Sequence, residues 1–165
     1  MKTTRQTNQG FTLIELLVVS AVLMMLALIA LPAAGMDDHR KLDVVQLGVQ
    51  DALDYAQRES YKSGVPYGVR FGTNAGGWFA VVNAAGIPVE DPLSHGDYVV
   101  RFTDPGYPTG VTVDYATFGV RPVAAYDEKG VLVFGGQIHL RAGDQVRWLQ
   151  LTTASPELEV VPVTP

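Results

Sequence analysis

The sequence predicts an α+β protein: a long N-terminal α-helix, membrane-spanning in its first half, packed through its second half on an antiparallel β-sheet domain. Three observations carry this reading. Residues 11–31 form an apolar run with one charged member, Glu15. Beyond Gly35 the apolar residues Leu42, Val45, Val49, Ala52 and Ala56 recur at alternating steps of three and four, which draws one stripe along a helix. From Val65 onward the period drops to two, and turns containing Gly, Pro and Asn divide short apolar-alternating segments.

The first element is the apolar run. A helix rises about 1.5 Å per residue, so twenty-one residues just cross the ~30 Å hydrocarbon layer of a bilayer. Lys2 and Arg5 precede it with no acid among residues 1–10, which keeps the N-terminus cytoplasmic and places the rest of the chain on the far side. Glu15 sets this run apart from a plain anchor. A carboxylate within an apolar span costs roughly 2.5–3.5 kcal/mol on insertion scales, so such a group normally serves a partner. It lies one turn after Phe11, on the same helical face. A cut between Gly10 and Phe11 would leave an α-amino cation at the helix tip. The Glu15 carboxylate of one copy would then meet the amine of a neighbour and set the register between two apolar helices.

Gly10-Phe11-Thr12-Leu13-Ile14-Glu15-Leu16-Leu17-Val18-Val19 resembles the type IV prepilin signature, shared by type IV pilins and type II secretion pseudopilins. The resemblance implies that a prepilin peptidase cuts after Gly10 and N-methylates Phe11, with Glu15 as the assembly carboxylate. It divides the chain into a leader (1–10), a transmembrane and assembly helix (11–34) and a periplasmic domain (35–165) with a pilin-like fold. A secretory signal peptide is the rival on composition. Its cut would follow the apolar run, where Leu31-Pro32-Ala33-Ala34-Gly35 puts a proline at the position that wants a small residue.

Pro32 ends the apolar run, since a proline inside a helix removes a backbone bond. The amphipathic stripe predicts a second helical stretch over about 37–61, stopped by Ser63-Gly64 and Pro66. Strands are expected at 67–71, 78–83, 98–102, 111–115, 131–134, 137–141, 146–152 and 158–161, within a β-rich region 65–162. Residues 84–96 hold two prolines and no period, which predicts a surface loop. The stripe 42–56 is expected to cover a sheet containing 78–83 and 146–152, with Trp78 and Trp148 in the core.

Tyr126-Asp127-Glu128-Lys129-Gly130, Gly136-Gln137-Ile138-His139-Leu140 and Val146-Arg147-Trp148-Leu149-Gln150-Leu151 together resemble the GspH/FimT-type minor pseudopilin domain. Where that family usually closes with Gly-Arg before its last strand, this chain has Thr153-Ala154-Ser155-Pro156.

Composition narrows the function. Without residues 1–10 the formal charge moves from −5 to −7, the reverse of the basic stripe a nucleic-acid binder shows, so no nucleic-acid partner is expected. The absence of cysteine excludes a disulfide frame and thiolate metal sites. Nucleophile-elbow, P-loop and H-E-x-x-H motifs are absent. His39, His95 and His139 stand far apart, Asp37-Asp38-His39 reads as a helix start, and Asp127-Glu128 reads as a charged turn. The expectation is therefore no catalytic residue, no metal and no cofactor.

The resemblance implies a minor pseudopilin of a type II secretion system, a structural subunit involved in export across the outer membrane. Its partners would be other pseudopilins, the prepilin peptidase, inner-membrane lipid and the exported protein. A minor pilin of a type IV pilus and a membrane-anchored periplasmic hydrolase are the alternatives. The net −7 of the cut chain and the missing Gly-Arg argue against a pilin of adhesion or DNA uptake, and the missing catalytic constellation argues against the hydrolase.

Overall fold

A computed structural model describes residues 13–30, 37–73, 76–154 and 158–161. The chain divides into two units, Met1–Gly35 and Met36–Pro165. The first contains α1 (Leu13–Ala30). Its described side chains, 13–24, are exposed. Ser20, the hydroxyl in this stretch, donates to the Leu17 carbonyl at 3.0 Å, so the helix satisfies its own polar side chain. Among the described residues no helix is long and apolar enough to cross a membrane. The 18 residues of α1 rise about 27 Å, just under the ~30 Å required. The flanks of the expected 11–34 segment, residues 11–12 and 31–34, lie outside the described residues.

The second unit opens with α2 (Asp38–Ser63). Asp37 caps it, its carboxylate accepting the His39 N–H at 2.6 Å, and Asp38 adds negative charge to the first turn. Gly64 ends it in the left-handed conformation, φ 66°, returning its N–H to the Ser60 carbonyl. The stripe is buried as expected, with Leu53 and Ser60 added to it. The Ser60 hydroxyl accepts the Tyr67 N–H at 2.9 Å, which ties the end of the helix to the first strand.

Eight strands follow: β1 (Tyr67–Gly72), β2 (Trp78–Asn83), β3 (Val99–Arg101), β4 (Val111–Phe118), β5 (Val123–Tyr126), β6 (Gly136–Ala142), β7 (Gln145–Leu151) and β8 (Glu159–Val161). They form two antiparallel sheets where one was expected, in the orders β3-β2-β1-β5 and β4-β6-β7-β8. The expected strands 78–83 and 146–152 therefore fall in different sheets, and α2 contacts both.

Two strand assignments are corrected. Residues 131–134 make one bridge, Tyr126↔Leu132, while β5 takes the ladder position beside β1. β5 reads weakly because Val-Ala-Ala-Tyr follows Pro122 and carries two alanines, which are depleted in strands. Within it Ala124 is fully buried and pairs with Val69. β4 runs three residues past its expected end because Asp114 is a bulge between the Val113 and Tyr115 pairings. The extra residue flips the alternation, so Val111 and Val113 face inward before it and Phe118 after it.

The core lies between the α2 stripe and the inner faces of the sheets. Phe79, Phe102 and Tyr107 form a ring cluster with centroids 6.1–6.4 Å apart. Phe71 of β1 stacks on Phe118 of β4 at 5.9 Å and joins the two sheets. Gly136 allows this, because a Cβ there would collide with the Thr117 carbonyl and the Phe118 ring. Arg147 of β7 closes the other side. It is 15% exposed and donates to Asp43 at 2.6 Å and Gln46 at 2.9 Å, both on α2.

Candidate functional site

The processing pair expected from the sequence, Gly10 and Phe11, lies outside the described residues, as does the leader. Glu15 sits in the first turn of α1, among exposed Leu13, Ile14, Leu16 and Leu17. A carboxylate at that end suits the positive pole of the helix dipole. Its described apolar neighbours would exclude water if such helices packed side by side, and that would strengthen an ion pair there.

The polar clusters considered from the sequence take structural roles. Asp37 is the N-cap of α2. Asp127 accepts the N–H groups of Lys129 and Val131 at 2.9 Å each and shapes the turn after β5. In the 84–96 loop, Asp91 accepts from Leu93 and Ser94, bonds that hold its carboxyl below the usual range. His95, in the left-handed region at φ 57°, pairs through Nδ1 with Glu90 at 3.0 Å. Among the described residues, no three His, Cys, Asp or Glu side chains approach closely enough to hold a metal ion.

Trp148 corrects the expectation that it packs in the core. It faces outward from the second sheet, alternating with buried Leu149, and stacks on His139 at 4.1 Å and 14°. His139 in turn meets Tyr115, half-exposed, at 5.3 Å. Cross-strand pairing alone sets this row, Tyr115↔His139↔Trp148. The period-two pattern carried the signal, but it could not say which phase of β7 faces the core. Trp78 is half-buried and lies across Gly72, with the Arg70 guanidinium 6.0 Å from its ring.

Burial between the two rings holds His139 below its ordinary pKa, with the Asp114 carboxylate opposing; Asp114 is itself paired with Arg141 at 2.6 Å. The buried Nε2 of His139 makes no hydrogen bond among the described residues. The unfolded chain, near 6.5, therefore takes up the proton first as pH falls. Stability from His139 is full above about pH 6.5 and is lost as pH drops toward the depressed folded value. Melting temperature is expected to fall between pH 7 and pH 5, and His139→Gln should reduce that fall. An equal fall in both proteins would remove His139 as its source.

A model of the prokaryotic N-terminal methylation motif matches residues 5–31. No curated protein matches the chain. In three dimensions it is similar to the crystal structure of the type IV minor pilin FimU of Pseudomonas aeruginosa (strain PAO1). The TM-score is 0.52 at 17% sequence identity, over 75% of this chain and 90% of that one. The chain is thus type IV pilin-like in its N-terminal motif and in its fold, α2 packed on antiparallel sheets.

Proposed function

We propose that this chain is a minor pseudopilin of a type II secretion system, a structural subunit of a short periplasmic filament. The observation that carries the reading is the joining of a methylation motif at residues 5–31 to a pilin-type domain. In this reading the peptidase cuts after Gly10 and methylates Phe11. Residues 11–34 are stored in the inner membrane as a single span and withdrawn into the filament as it grows. The domain from residue 35 stays in the periplasm and touches other pseudopilins and the exported protein. The chain is a substrate of chemistry and performs none, and a mature charge of −7 does not suit nucleic acid.

The likeness to a type IV minor pilin favours a second reading, a minor pilin of a retractile pilus. The two separate by deletion: loss of protein export with surface pili intact supports the pseudopilin, and the reverse supports the pilin. Both require the same processing. Intact mass of the membrane-extracted protein is expected to begin at N-methylated Phe11, and a mature start near Gly35 would sink both.

A further inference from the structure

We propose that the groove on the outer face of the β3-β2-β1-β5 sheet docks an extended, apolar, carboxylate-bearing segment of a neighbouring filament subunit. The proposal deepens the filament reading and rests on it.

The groove exists because one row of the sheet has almost no side-chain height. Gly68 of β1 pairs with Ala125 of β5, and these two residues form the floor. Val133, whose N–H donates to the Ala125 carbonyl at 2.8 Å, raises one wall with Phe134 and Val120. The turn after β2 raises the other, pinned by Arg70 Nη2 donating to the Gly86 carbonyl at 2.6 Å. About 790 Å³ lies between them, within the range of clefts that hold peptides and ligands.

Two properties of the walls select the occupant. The first is apolar surface left in water: Val120 is 97% exposed and Phe134 61%. The Phe134 ring lies over Gly119, where a Cβ would come within 3.3 Å of its Cγ. Exposed apolar groups gathered around one concavity mark an interaction site more strongly than scattered ones. The second is charge. The charged side chains lining the groove are Arg70 and Arg121, with no acid among them, in a chain of 17 acidic and 12 basic residues. Arg70 is held in place by the Gly86 carbonyl and the Trp78 ring, while Arg121 is exposed. A carboxylate flanked by apolar residues answers both walls, its charge on the guanidinium side and its side chains against Val120 and Phe134.

The test uses the full-length chain in cells that build the filament. A photoreactive p-benzoylphenylalanine replaces Val120 in one strain and Phe134 in another, and cross-linked peptides are identified by mass spectrometry. The expected result is one segment of another filament subunit, apolar and containing Asp or Glu, caught from both positions. Adding Arg121→Glu should lower that cross-link at least tenfold at equal protein level, whereas Arg121→Lys should retain most of it. Cross-links to a second copy of this chain or to lipid would overturn the proposal, as would their absence or indifference to Arg121→Glu. Co-purification is scored alongside. A wild-type chain that co-purifies with no filament subunit sinks the filament reading and the groove with it. A wild-type chain that co-purifies normally but gives an overturning cross-link result sinks the groove alone.

Discussion

A chain carrying Glu15→Leu is expected to insert and be cut normally yet to be lost from the filament. The substitution removes a carboxylate from an apolar helix, so insertion becomes easier by roughly 2.5–3.5 kcal/mol on insertion scales. In the proposed reading cleavage falls between Gly10 and Phe11, so it should not change. Assembly depends on what the carboxylate meets once α1 lies among other such helices. Paired there with the α-amine of a neighbour's Phe11, it would be desolvated on both sides. Removing one partner of such a pair costs about 3–5 kcal/mol, because the other charge stays buried alone. That is roughly two to four orders of magnitude in occupancy. Co-purification of Glu15→Leu with the other subunits, beside an export assay, reads this directly. Unchanged assembly and export would show Glu15 to be a passenger, or this subunit to sit where no neighbour presents an amine.

The largest effect expected on the folded domain is that of Phe79→Ala. Phe79 is fully buried where β2 meets Phe102 and Tyr107, ring to ring. Truncation removes its transfer free energy and leaves a cavity that β2, bonded on both sides by β1 and β3, cannot collapse to fill. Such changes cost about 3–5 kcal/mol, against a total stability of roughly 5–15 kcal/mol for a domain. In urea unfolding of the second unit, expressed from Met36, the midpoint should fall steeply while the slope holds. Phe134→Ala, which removes a ring of the same size from an exposed position, should change stability by less than about 1 kcal/mol. Equal losses in the two variants would place the core elsewhere.

Some of this architecture is written locally and needs no partner to be read. The apolar run and the spacing of Gly10, Phe11 and Glu15 depend on composition and order alone. So do the ends of α2, since Asp37 caps through its own side chain and Gly64 stops the helix through its own φ. The buried stripe of α2 follows from a period of 3.6, and most strands from a period of two. What the tertiary structure decided is everything that turns on which strand lies beside which. Strand pairing is a choice between distant segments, so one expected sheet became two, and Val-Ala-Ala-Tyr took the ladder place that Val-Leu-Val-Phe had promised. One extra residue at Asp114 reversed the alternation of β4, which no pattern ending at Tyr115 could foresee. Trp148 faces out because Leu149 and Leu151 claim the core, and Arg147 reaches Asp43 across 104 residues of chain. The groove belongs to the same class: Gly68, Gly86, Val120 and Phe134 share no sequence neighbourhood, and only the fold brings them around one floor.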